Sequence, residues 1–151
     1  MIMIAPWVVA EMQTADFHDK RLNERLKIVL SQLSSRPTAS IPSACGGHAE
    51  MSAAYRFFAT EKATFERVLG PHLESSRHRI ESQPVVILAQ DTTEVDLTRP
   101  EQLVLGAGPL DGHTRVGALL HLLHAFTPDG TPLGTAHAMP WARRKRSSAP
   151  R

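Results

Sequence analysis

The residue best placed to do chemistry is an aspartate that follows an apolar run. Pro84-Val85-Val86-Ile87-Leu88-Ala89 leads through Gln90 into Asp91-Thr92-Thr93. A continuous β-branched run bounded in this way predicts a central strand buried on both faces, with Asp91 at its end. A carboxylate held rigidly at a strand end can present oxygen to a hard cation such as Mg²⁺. Two such ions roughly 4 Å apart support phosphoryl transfer. The plainer role, an aspartate capping a turn, is the commoner one on this pattern alone. Glu94 and Asp96 lie three and five residues on, so strand alternation turns both away from the face of Asp91. Neither is an obvious second ligand.

The other reactive types are scattered. His121 and His124 fall in an expected strand and would face opposite ways, which argues against a zinc site. Cys45 is the single cysteine, excludes an internal disulfide and reads as a small buried residue. No glycine-rich phosphate loop is present. Arg21 and Arg25 stand one helical turn apart, and Arg56 lies further on. Such arginines can contact phosphates. With Asp19 and Glu24 close by, an ordinary solvated, salt-bridged face stays open.

Elements must position these groups. Residues 1–15 read as an ill-defined lead-in. Asp16 to Leu33 predicts a helix, with Leu22, Leu26, Val29, Leu30 and Leu33 as its apolar stripe and Asp16 or Asp19 as its cap. Arg36-Pro37 ends it. Ser43 to Phe58 predicts a second helix capped by Ser43, with Met51, Ala54, Tyr55 and Phe58 on one face. A third begins at Thr60 or Thr64 and runs to Ile80, with a break or kink expected near Gly70-Pro71. After the Asp91 strand, Pro100 to Gly112 is loop-like. Thr114 to Phe126 and Leu133 to Met139 are candidate strands joined by a turn at Thr127-Pro128-Asp129-Gly130. The order, helices then strands, predicts an α+β chain: a helical domain over 16–82 and a partial sheet domain over 84–140. Residues 141–151 are a basic tail.

Charge is uneven along the chain. The last nine residues hold five of the 17 basic residues and no acid, leaving 12 bases against 15 acids before them, a formal −3. Any nucleic-acid affinity must therefore come from local patches or the tail. No apolar run reaches membrane-spanning length, and the start lacks a basic leader, so no membrane partner and a cytoplasmic location are expected.

Five stretches together resemble one family. Asp19-Lys20-Arg21-Leu22-Asn23-Glu24-Arg25-Leu26 is similar to the Asp-x-Arg-x-x-x-Arg-Leu start of a small N-terminal DNA-binding domain. Ala54-Tyr55-Arg56-Phe57-Phe58 is similar to its Ala-Tyr-Arg-Phe-Phe signature. Asp91-Thr92-Thr93 resembles the end of the first catalytic strand. Leu119-Leu120-His121 with Thr127 to Gly134 resembles the next two strands and their hairpin. Trp141-Ala142-Arg143 resembles the exit from the third. The family is the DDE transposases of bacterial insertion sequences, of the IS-four and Tn-five type.

The resemblance implies an RNase H-like catalytic domain, here only its first three strands. Asp91 would be the first of three acidic metal ligands, for Mg²⁺ in the full-length family. Arg21, Arg25 and Arg56 would be contacts to double-stranded transposon ends. The second Asp and the Glu of the family have no match, so the expectation is a truncated transposase that binds ends, is inactive alone and holds Mg²⁺ only weakly. The alternative is a stand-alone regulatory module that inhibits full-length transposase by partnering it. A third, a protein unrelated to nucleic acid in which Asp91 only shapes a turn, stands outside the resemblance.

Overall fold

The computed structural model describes residues 3–99, 104–112 and 114–144. Its elements run as five helices followed by four strands: α1 (Pro6–Glu11), α2 (Lys20–Ser35), α3 (Ile41–Ala44), α4 (His48–Phe58), α5 (Phe65–Glu81), β1 (Ile87–Asp96), β2 (Gly108–Pro109), β3 (Val116–Phe126) and β4 (Pro132–Trp141). This is an α+β chain. It divides into two compact units, Met1–His78 and Arg79–Arg151.

The helical unit is built around α2. Asp19 caps it, its side chain accepting from the Arg21 N–H at 2.9 Å. Asp16 instead accepts from His18 N–H. The helix ends at Arg36, before Pro37. Leu26 and Val29 of the stripe are buried, Leu22, Leu30 and Leu33 are partly buried, and two clusters share them. Leu22, Leu26 and Leu30 join Val8, Met12, Phe17 and Phe57, while Val29 and Leu33 join Cys45, Met51 and Ala54. The stretch expected to be an ill-defined lead-in is therefore structural. Pro6 starts α1 without forfeiting a helical hydrogen bond, and Val8 is fully buried.

Two expectations about the next helices need correction. The predicted helix over 43–58 is interrupted, with α3 ending at Cys45 and α4 beginning after Gly47. Gly47 has φ of 143°, which a residue with a β-carbon rarely adopts. Ser43 thus lies inside α3 and is not the cap. The buried face of α4 is Ala53, Ala54 and Phe57, while Tyr55 and Phe58 stay exposed. The ring of Phe57 meets that of Phe17 edge-on at 5.6 Å, and this packing sets the face. By contrast α5 passes through Pro71 without interruption. Gly70, with no β-carbon, removes the clash that a preceding side chain would make with the proline ring.

The second unit is an antiparallel sheet with β3 at its centre. β1 pairs one flank of β3 from Ile87↔Phe126 to Asp96↔Gly117, and β4 and the two-residue β2 pair the other. The hairpin turn between β3 and β4 forms as expected. Thr127 N–H donates to the Thr131 carbonyl at 2.9 Å, and Gly130 N–H to the Thr127 carbonyl at 2.9 Å. Asp129 accepts from the Thr127 hydroxyl and the Thr131 backbone, which lowers its pKa, the Thr127 bond first. Gly117 on β3 is required by close approach, because a β-carbon there would lie 2.0 Å from the Val95 carbonyl oxygen.

The first strand departs most from expectation. β1 is exposed along nearly its whole length, with Ile87 and Leu88 each 51% accessible. Among the described residues it is paired on one side only. It is an edge strand, not a doubly buried central one. The apolar run forms the strand, but its side chains are left largely exposed among the described residues. The expected loop over 100–112 includes β2, and residues 100–103 lie outside the described residues.

Candidate nucleic-acid interface

Arg21 leaves the first turn of α2, and Arg56 the last turn of α4. Both side chains are exposed, and neither has a hydrogen bond or ion pair among the described residues. The Phe17–Phe57 contact brings these helix ends together. Phe17 precedes the α2 cap by two residues, and its N–H is held by the Asn23 side chain at 2.9 Å. Arg56 adjoins Phe57, so the two guanidinium groups belong to neighbouring helix ends. Tyr55 and Phe58 lie exposed beside Arg56. Two such cations flanked by aromatic faces can grip a phosphate backbone and pack against sugars or bases.

Arg25 differs. Its Nη1 lies 2.6 Å from Glu50 Oε2, with both side chains 27% exposed. This bond ties α2 to α4. It is the solvated, paired alternative left open by the sequence, but its partner is neither Asp19 nor Glu24. Glu24 pairs instead with Lys27 at 2.9 Å. The spacing of Arg21 and Arg25 puts both on one side of the helix and cannot show that one of them is engaged. Sequence reasoning put Tyr55 and Phe58 on one face with Met51 and Ala54 and did not single them out as surface groups. The spacing carries no signal for this, because the buried arc of α4 is chosen by Phe57 packing against Phe17.

Asp91 sits in the middle of β1, since the strand continues to Asp96, and is not at its end. It is exposed, and Leu122 lies opposite it on β3. Strand alternation puts Glu94 and Asp96 on the other face, where both are taken by Arg115, at 2.9 Å each. Asp96 also accepts from the Thr98 hydroxyl. That bond first, and Arg115 next, holds its pKa at about 2. His121 bonds Thr92 at 2.7 Å on one face, and His124 contacts Thr135 at 3.3 Å on the other, as alternation requires.

Among the described residues no group of three or more His, Cys, Asp or Glu is placed to hold a metal ion. A lone exposed carboxylate flanked by Ala89, Thr93 and Leu122 does not fit a two-metal centre.

One arrangement in the helical unit has the order of a nucleophilic array. Glu11 contacts His72 Nδ1 at 2.6 Å, and His72 Nε2 lies 3.4 Å from the Ser76 hydroxyl. Ser76 is fully buried, so no substrate reaches it. The chain of bonds joins the end of α1 to α5, with Ser75 donating to the Glu11 carbonyl at 3.1 Å.

Arg143 pairs with Asp111 at 2.6 Å, so it is engaged on the sheet, and residues 145–151 of the basic tail lie outside the described residues. Among the described residues no helix is long and apolar enough to cross a membrane. No curated protein matches the chain. Residues 4–63, which span α1 to α4 and contain Arg21, Arg25 and Arg56, match the family of transposase DNA-binding domains, and this stretch accordingly has the character of a transposase N-terminal region.

Proposed function

We propose that this chain is the N-terminal part of a DDE transposase of the IS-four and Tn-five type, with a helical unit that grips double-stranded transposon ends. The observation that carries the reading is the transposase DNA-binding match over 4–63, together with two arginines at adjoining helix ends inside it that have no partner among the described residues. Arg21 and Arg56 make the phosphate contacts, Tyr55 and Phe58 supply apolar surface beside them, and Arg25 holds the two helices in place.

In the same reading the antiparallel β1–β3–β4 set is the opening of an RNase H-like catalytic domain, and Asp91 is the first of its acidic residues, which by itself forms no metal centre. Two features support an incomplete catalytic unit. The apolar residues of β1 are half exposed, and no second acid of that strand shares the face of Asp91. Strand cleavage then needs carboxylates from elsewhere, and the isolated chain binds DNA without cutting it. The free flank of β1 among the described residues also favours a second reading, a regulatory module that partners full-length transposase through this edge.

Fluorescence anisotropy with labelled duplex DNA at low salt tests the proposal. Saturable binding that weakens as salt rises supports it, and absence of binding at low salt rejects it. Added Mg²⁺ should produce no strand breaks with either the native chain or Asp91→Asn; breaks lost on that substitution would contradict the incomplete unit.

A further inference from the structure

We propose that the sheet carries a site for a soft, low-charge metal ion of the Cu(I) class, held by His121, His137 and Met139. The three are neighbours across the β3–β4 ladder. His121 stands directly opposite Met139, and Leu123 directly opposite His137. The pairing is regular from Leu119↔Trp141 to Leu123↔His137, and the first bulge falls only after Leu123. Directly opposed residues share a face, and so do residues two apart along a strand. All three side chains therefore project from one face of the sheet. Opposed β-carbons are roughly 4.5–5.5 Å apart and diagonal positions roughly 7–8 Å, close enough for side chains as long as these to meet at one ion.

Exposure and orientation fit that role. His137 is exposed and Met139 is 48% exposed, so a thioether is presented at the surface instead of filling the core. His137 makes no hydrogen bond or ion pair among the described residues. His121 is half-buried, and its Nδ1 lies 2.7 Å from the Thr92 hydroxyl on β1. That bond fixes the ring. With the proton on Nδ1, Nε2 keeps its lone pair for a metal, which is how histidine ligands are generally oriented. Leu119 and Leu123 flank His121 on this face, and the acid opposite Leu119, Glu94, is taken by Arg115 at 2.9 Å. Two imidazoles and a thioether without a carboxylate suit a soft ion and not a hard one. Asp91 pairs with Leu122 and so projects from the reverse face. None of the arginines assigned to DNA takes part, and the site stands independently of DNA binding.

Ag(I), which shares the ligand preferences of Cu(I) without its redox chemistry, is the probe, and Zn(II) is its comparison. Each is titrated as the nitrate into the full chain, and the imidazole nitrogens and methionine methyl groups are followed by NMR. Ag(I) shifts His121 Nε2, the His137 ring and the Met139 methyl together, with one common affinity. Zn(II) binds these groups more weakly and leaves the Met139 methyl unmoved. The shifts are read residue by residue, so Ag(I) taken up by Cys45 is seen apart from them. Thr92→Val removes the bond that orients His121 and weakens Ag(I) binding about ten-fold, the order expected for the partner of a histidine ligand. Met139→Leu, a change of similar volume at an exposed position, weakens it at least as much. If either variant loses its native circular dichroism, the common shifts in the native chain and the comparison with Zn(II) decide alone. Shifts confined to Cys45 or to other histidines, equal affinity for Ag(I) and Zn(II), or a folded Met139→Leu variant with native affinity for Ag(I) overturns the proposal.

Discussion

Replacing Arg25 by alanine separates a structural arginine from a DNA-binding one. The Arg25–Glu50 contact is 2.6 Å long, and each side chain is 27% exposed. Fully exposed ion pairs contribute roughly 0.2–1 kcal/mol, whereas breaking a deeply buried one costs roughly 3–5 kcal/mol. The partial exposure puts Arg25→Ala near the lower regime, at about 1–2 kcal/mol, because Glu50 is left in a half-desolvated place without its partner. Glu50→Ala should cost about 1 kcal/mol, and the pair should show a coupling of about 1 kcal/mol in a double-mutant cycle. Of the two tryptophans, Trp7 lies in α1 and Trp141 ends β4. A Trp141→Phe background therefore makes urea unfolding, read by Trp7 fluorescence, report the helical unit alone. Additive effects, with no coupling beyond error, would refute the pair. So would an Arg25→Ala variant of native stability that no longer binds duplex, which would return Arg25 to the DNA surface.

Three further outcomes follow from the packing and charge. Val8→Ala should lose about 2 kcal/mol, two buried methyl groups plus a small cavity, measured as a lowered urea midpoint; no loss would restore residues 1–15 to a lead-in. Gly117→Ala should disrupt the β1–β3 pairing, since its β-carbon would lie 2.0 Å from the Val95 carbonyl oxygen, and amide exchange along β1 should quicken; unchanged protection would contradict that approach. Asp96, depressed to about 2, favours the folded state at any pH above the ordinary carboxylate range and loses that contribution as pH falls through about 2. Carbon-detected NMR titration should show this, with Thr98→Val raising the value more than Arg115→Met; an ordinary titration in the native chain would remove the network.

How much could be read without coordinates varied with how local the cause was. The α2 stripe, the Asp19 cap and the Thr127–Thr131 turn were legible because each depends on residues within a few positions of one another. The face of α4 was not, because the spacing within the helix fixes only relative positions, and packing of Phe57 against Phe17 selects the arc that is buried and leaves Tyr55 and Phe58 exposed. The apolar run before Asp91 named a strand but not its neighbours, and burial is a property of the neighbours. Arg25 illustrates the same limit for the site. Its type and spacing fitted a phosphate contact, and only a glutamate 25 residues later shows that it is engaged.

Salt dependence of duplex binding tests the DNA-binding proposal most directly. Each phosphate contact contributes a slope of about −0.9 in the logarithm of the binding constant against the logarithm of salt concentration. Arg21→Ala combined with Arg56→Ala should weaken binding to duplex DNA and flatten that slope by about 2 units, while the folded state stays native by circular dichroism. A native slope and affinity in the double variant, or no salt-dependent binding by the native chain, would contradict the proposal.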